Sequence, residues 1–187
     1  MDVFTAFGLA ASAGLNAYIP LLVVSLLAKF TNLIQLSEPW NTLESWWVIG
    51  VLVLLSVVEF FADKVPAVNH VNDIIQTFVR PAAGAILFAA SAKVVTDMSP
   101  VFAAVLGILV AGSVHAVKSA AVRPALTATT GGAANVPVSI LEDVSSTLFS
   151  IIAVVIPALV IAVIVVIAAF IVWWIWRRIN KERAFRT

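Results

Sequence analysis

The sequence predicts an all-α membrane protein of about six transmembrane helices, some broken or re-entrant. Three observations support this. The chain is 62% hydrophobic and 11% charged, with a mean hydropathy of +1.09, whereas a soluble domain is about 45–50% apolar and about 25% charged. The apolar residues are gathered into runs able to cross about 30 Å of hydrocarbon at about 1.5 Å per residue. Short segments rich in Pro, Gly or charge separate those runs. The 187 residues suit one membrane domain, 1–176, followed by a basic cytoplasmic tail, 177–187. With no cysteine, disulfides, thiolate nucleophiles and cysteine-bound metals are excluded. Asp2 stands where a signal peptide would be basic, so the first apolar run is expected to be retained.

Span 1, Phe4–Ala28, is interrupted by Gly14-Leu-Asn16-Ala-Tyr18-Ile-Pro20. Pro20 lacks a backbone donor and is expected to bend or break the helix. Asn16 falls near the midplane, bonded to a neighbouring helix or, in an unwound segment, to a ligand. Lys29–Ser45 is a loop flanked by Trp40, Trp46 and Trp47, residues suited to the interface. Span 2, Trp46–Phe61, carries Ser56, Glu59 and Asp63 on one helical face. Val65–Val79 reads as a short interfacial segment, and span 3 as Phe78–Val95 with a small face of Ala82, Ala85, Ala89 and Ala92. Span 4, Val101–Ser119, runs from Ala104, Gly107 and Ala111 into His115 and Lys118 along one face. Spans 5 and 6, Val138–Val155 and Pro157–Trp176, lack a polar turn between them, and one long helix kinked at Pro157 is the alternative. Trp173, Trp174, Trp176 and Arg177-Arg178 form an aromatic and basic end.

Six spans place Lys64, Arg80, Lys118, Arg123 and the basic tail on one side, against Lys29 and Lys93. Five spans divide these residues more evenly. The excess of Lys and Arg on cytoplasmic segments favours six, with both termini cytoplasmic in an inner membrane. Nothing in the charge pattern suggests nucleic acid; the expected partners are the bilayer, a small solute or ion, and further copies of the chain.

Arg123–Asp143, RPALTATTGGAANVPVSILED, is polar and glycine-containing between apolar spans, and is the candidate centre of the site. Gly131-Gly132 permits unusual backbone angles and close approach of a ligand. Pro137 precedes a helix start whose free amides favour an anion, with Lys118 and Arg123 adding positive charge. Glu142 and Asp143 already complement the same dipole. Ionisable residues within a membrane are costly and commonly functional. The candidate substrate-binding set is therefore Asn16, Glu59, Asp63, His115, Lys118, Arg123, Gly131, Gly132, Asn135 and Ser139. A metal would draw on Glu59, Asp63, His115, Glu142 and Asp143. No Walker loop, dinucleotide fingerprint or nucleophile elbow is present, so no cofactor is assigned. Gly14-x-Asn16-x-x-x-Pro20 and Gly132-x-x-Asn135-x-Pro137 echo one another, as halves of an inverted three-plus-three repeat would.

Gly14-Leu-Asn-Ala-Tyr-Ile-Pro20, Glu59-Phe-Phe-Ala-Asp63-Lys64-Val-Pro66, Arg80-Pro-Ala-Ala-Gly84 and Thr130-Gly-Gly-Ala-Ala-Asn135-Val-Pro137-Val-Ser139 with Glu142-Asp143 together resemble a family of small bacterial integral-membrane proteins catalogued as a domain of unknown function. The resemblance covers span 1 to span 5. It implies a self-contained membrane domain and nothing about chemistry.

The leading expectation is a transport protein for a small solute, an anion among the candidates. In it Glu59 accepts a proton or cation, Asn16 and Asn135 hydrogen-bond from broken helices, and Lys118 and Arg123 attract the solute. The alternatives are a membrane-embedded metal-dependent enzyme acting on a lipid or headgroup, and a non-catalytic scaffold or assembly protein.

Overall fold

The computed structural model describes residues 3–63, 66–92 and 98–184; Lys64 and Lys93, counted above for orientation, lie outside them. The described residues form α1 Val3–Leu15, α2 Tyr18–Phe30, α3 Trp46–Ala62, α4 Pro66–Ala92, α5 Pro100–Val117, α6 Arg123–Thr130, α7 Asn135–Val155 and α8 Pro157–Ala184. A 3-10 turn, Trp40–Glu44, precedes α3, and a π-helical turn, Lys118–Val122, joins α5 to α6. Among the described residues, four stretches are long and apolar enough to cross a membrane: Val71–Ser91, Pro100–Thr130, Asn135–Val155 and Pro157–Arg178.

Span 1 departs from expectation. It is two helices of 13 residues each, about 20 Å long apiece, meeting at Leu15-Asn16-Ala17. Asn16 shapes the reversal. Its Oδ1 accepts the backbone N–H groups of Tyr18 and Ile19, both at 3.0 Å, and so satisfies amides left free at a helix start. Pro20 lies within that first turn, where a missing N–H costs no helical hydrogen bond.

Contacts give the directions. α1 is antiparallel to α7, with Thr5 bonded to the Ala153 carbonyl and Asn16 to Asp143. It is antiparallel to α4, with Phe7 against Phe88 and Gly14 against Arg80. At the end of α2, Lys29 bonds the Glu44 carbonyl and lies over Trp46, the first residue of α3. α3 then runs until Glu59 meets Arg80 and Asp63 meets Asn72, on the tip side of the bundle. α2 therefore returns to the end from which α1 entered, and the pair is a hairpin with its tip inside the protein.

α1 is the hub, packed by α2, α4, α5, α7 and α8; Ala6, Leu9, Ala10 and Ala13 are fully buried. Small residues allow the close crossings that membrane helices favour. At the α4–α5 crossing Gly84 faces Gly107, and a Cβ at Gly107 would overlap the Gly84 carbonyl. In the apolar half of α4, Ala83, Gly84, Leu87, Phe88, Ala89 and Ala90 are buried; of the expected small face Ala89 is buried, Ala85 half-buried and Ala82 exposed.

The interfacial segment and span 3 are one continuous helix, α4, with Pro81 inside it. Asp73, Gln76, Thr77 and Arg80 recur at three- and four-residue spacing, so one polar face continues into the apolar half. Spans 5 and 6 are separate helices. Ile156 leaves helical geometry, with φ −136° and ψ 69°, and α8 turns back along α1. Leu159, Val160, Val163, Ile164 and Ile167 flank an apolar groove of about 360 Å³ whose opposite wall includes Gly8, Ala11 and Leu15. The helix of α8 continues through Arg177 and Arg178 into the basic tail.

Candidate functional site

The tip of the hairpin is held by charged side chains from three other helices. Arg80 of α4 is fully buried. Its Nη2 donates to Glu59 Oε1 of α3 at 2.9 Å, and both side chains are 1% exposed. Its Nη1 donates to the Gly14 carbonyl at 3.3 Å and to His115 Nδ1 at 3.4 Å. A guanidinium only donates, so His115 Nδ1 accepts and its Nε2–H faces Thr77 Oγ1, 3.3 Å away. The Thr77 hydroxyl donates to the Asp73 carbonyl. Lys118 donates to the Leu15 carbonyl at 3.3 Å and pairs with Glu142 Oε2 at 2.5 Å. The last carbonyls of α1, which have no partner within a helix, are thus held by two cations, a favourable match to the negative end of the helix dipole.

A second layer lies toward the bundle end where α3 finishes. Arg123 pairs with Asp73 at 2.5 Å and with Asp63 at 3.4 Å, and Glu142 stands 4.0 Å away. Asp63 also accepts Asn72 at 2.7 Å and Ser139 at 3.1 Å. The π-helical turn explains how Lys118 and Arg123 both face Glu142. The Arg123 N–H bonds the Lys118 carbonyl, which stacks the two residues. In a regular α-helix, residues five apart point about 140° away from each other.

A third set of bonds seams α1 to α7. Asn16 Nδ2 donates to Asp143 Oδ1 at 2.9 Å, and the Ser12 hydroxyl lies 3.0 Å from that of Ser146 and 2.8 Å from that of Ser150. Ser139, Asp143, Ser146, Ser150 and Ala153 follow one face of α7 at three- and four-residue spacing.

Asn16, Glu59, Asp63, His115, Lys118, Arg123 and Ser139 therefore converge. Gly131, Gly132 and Asn135 do not. Gly131 and Gly132 lie in the turn after α6 and Asn135 begins α7; Gly131 at φ 61° ends α6 in the left-handed conformation that glycine adopts without strain. The half-buried Asn135 amide faces Thr127 at 3.4 Å. The glycine-rich stretch is a helix stop, and only its flanks, Arg123 and Ser139–Asp143, enter the network.

Among the described residues, no three His, Cys, Asp or Glu side chains are placed to share a metal. The proposed ligands are turned to other partners: Glu59 to Arg80, Asp63 to Asn72 and Ser139, Glu142 to Lys118, Asp143 to Asn16, and His115 to Arg80 and Thr77. Lys118 and Arg123 are likewise engaged by carboxylates. Ionised, Glu59, Asp63, Asp73, Glu142 and Asp143 outnumber Arg80, Lys118 and Arg123.

Sequence reasoning missed Arg80 as the central residue, together with Gln76, Thr77 and the serine seam. The polar face of α4 and the serine spacing on α7 were available signals.

The fold and this buried ionic network define a small multi-helix membrane protein with a polar interior. The chain belongs to the family described as a domain of unknown function, DUF4126, whose profile matches residues 3–178. No curated protein and no solved structure matches it.

Proposed function

We propose that this is a membrane transport protein for a small polar solute, with the α1–α2 hairpin as its gate and the network at the hairpin tip as its solute site. The observation that carries the proposal is the hairpin itself. Two half-helices enter and leave the bundle at the same end, and their turn is gripped by Arg80, Lys118 and Asp143 from three separate helices. Irregular backbone at membrane depth is tolerated where protein buries it or where it lines a cavity, and transporters place substrates at such helix breaks.

The charge balance changes the expected cargo. Lys118 and Arg123 are neutralised by their carboxylate partners, and the surplus of carboxylates opposes an anion. Orientation changes as well. Lys118, Arg123, Arg177 and Arg178 gather toward one end of the bundle and Lys29 lies at the other, so the first end is assigned to the cytoplasm of an inner membrane. Because α1 starts at the Lys29 end and α8 finishes at the other, this arrangement puts Val3 and Ala184 on opposite sides. The proposal needs no inverted repeat: the two echoing segments fold differently, one as a buried tip and one as an exposed turn.

The test is flux into vesicles reconstituted with wild type, Glu59→Gln or Arg80→Met, using a panel of neutral, anionic and cationic small solutes with and without a pH gradient. Transport of at least one solute by wild type, lost in both variants, is expected. Wild-type vesicles no more permeable than empty ones across the panel would reject the proposal in favour of a scaffold or an enzyme.

A further inference from the structure

The apolar groove between α1 and α8 has a volume of about 360 Å³ and takes no part in the network at the hairpin tip. Its α8 wall includes Val160, Ile164 and Ile167, and its opposite side includes Ala11, Leu15 and Val114. Both helices run from the Lys29 end. Gly8 lies against Val160, and seven residues further along each helix Leu15 and Ile167 line the far end of the groove. There α1 stops. α8 runs on, and every residue from Ala168 to Trp174 is exposed. Val160, Ile164, Ile167, Ile171, Trp174 and Arg178 recur at three- and four-residue spacing. The groove wall therefore continues along one exposed face of α8 to Arg178.

That face carries its charge at one end. The Arg178 guanidinium lies over the Trp174 ring, 4.2 Å from its centroid, and the Arg177 guanidinium lies 5.2 Å from the centroid of Trp173. A guanidinium held over an indole still presents the forked N–H donors that pair with phosphate, and both arginines are exposed. Lys118 and Arg123 in the interior are engaged by carboxylates. Segment 177–187, by contrast, has five basic residues against one acidic, Glu182. That surplus calls for an anion, and Lys and Arg just beyond a membrane span attract anionic lipid headgroups. Arg178 stands about 16 Å beyond Ile167 along the helix, and one leaflet supplies half of a hydrocarbon core of about 30 Å. A chain descending from a headgroup at Arg178 thus reaches Leu15 and Ile167 and enters the groove. We propose that this face of α8 and the groove bind one anionic phospholipid, its phosphate at Arg178 with Arg177 beside it and one acyl chain between α8 and α1. The site does not depend on the transport function proposed above.

The probes are phosphatidylglycerol, phosphatidylcholine with the same acyl chains, and glycerol phosphate, each titrated into the delipidated full-length protein in a neutral detergent. Native mass spectrometry counts what each chain retains. One phosphatidylglycerol per chain is expected, with phosphatidylcholine at least five-fold weaker and glycerol phosphate unbound. Replacing both arginines, Arg177→Gln with Arg178→Gln, should bring phosphatidylglycerol down to the phosphatidylcholine level. Both side chains are exposed, so this variant keeps the fold should a groove variant lose it. Ala11→Phe fills the groove and should weaken both lipids at least five-fold while leaving their ratio unchanged. Equal binding of the two lipids, retention of glycerol phosphate, no saturable retention of any probe, or indifference to either folded variant overturns the proposal. So does a dimer that retains no lipid, which means that a second copy of the chain covers this face.

Discussion

Replacing Glu59 by Gln keeps the shape of the side chain and removes its charge. Arg80 then retains the Gly14 carbonyl and His115, but the carboxylate facing its Nη2 is gone. The pair is buried, with both side chains 1% exposed. Breaking a buried pair from one side costs about 3–5 kcal/mol, because the remaining charge is uncompensated; an exposed pair is worth about 0–1 kcal/mol. Glu59→Gln and Arg80→Met should each fall in the higher range, a shift of over 100-fold in the unfolding equilibrium at about 1.4 kcal/mol per ten-fold. The double variant leaves no lone charge and should cost less than the sum by about 2–3 kcal/mol. Reversible unfolding in SDS, followed by the fluorescence of the six tryptophans, measures all three. Single variants costing under about 1 kcal/mol, or a double variant that is simply additive, would refute the reasoning.

Three further outcomes can be read in the same assay. Gly107→Ala should destabilise by about 1–3 kcal/mol because its methyl meets the Gly84 backbone, whereas Gly50→Ala, with nothing near its added methyl, should be neutral or stabilise by up to about 1 kcal/mol. Ser12→Ala removes the hydroxyl shared with Ser146 and Ser150 and should cost about 0.6–1.7 kcal/mol, the range for hydrogen bonds between membrane helices. Gly131→Ala forces a side chain into a left-handed conformation at φ 61° and should cost about 1 kcal/mol, but leave solute flux as in wild type, since the turn lies outside the network.

Much of the fold was legible because apolar runs must become helices in a bilayer. The face running from Gly107 through Ala111 to His115 and Lys118 was readable from spacing, and all four residues are buried. Glu59 and Asp63 were readable as a shared polar face. The path of span 1 was not. A largely apolar run of 25 residues has the same hydropathy whether it crosses or turns back, and the deciding feature is one Asn16 side chain capping Tyr18 and Ile19. Arg80 was placed at a helix entry because Pro81 follows it and the residues before it are polar. Tertiary contacts override that local signal: Gln76 and Arg80 are buried, Asp73 pairs with Arg123 and Thr77 faces His115, so this polar face remains helical. The glycine-rich stretch misled for the converse reason. Its composition suits a ligand-binding loop and an exposed helix stop equally well, and burial alone distinguishes them.

The hairpin is the central claim, and its sidedness tests it most directly. The chain has no cysteine, so single cysteines at Val3, Ser37 and Thr129 can be labelled without background by a membrane-impermeant thiol reagent in sealed, oriented vesicles. A hairpin predicts that Val3→Cys and Ser37→Cys react from one side and Thr129→Cys from the other. If Val3→Cys and Ser37→Cys react from opposite sides, α1 and α2 form a single crossing, and the gate proposed here does not exist.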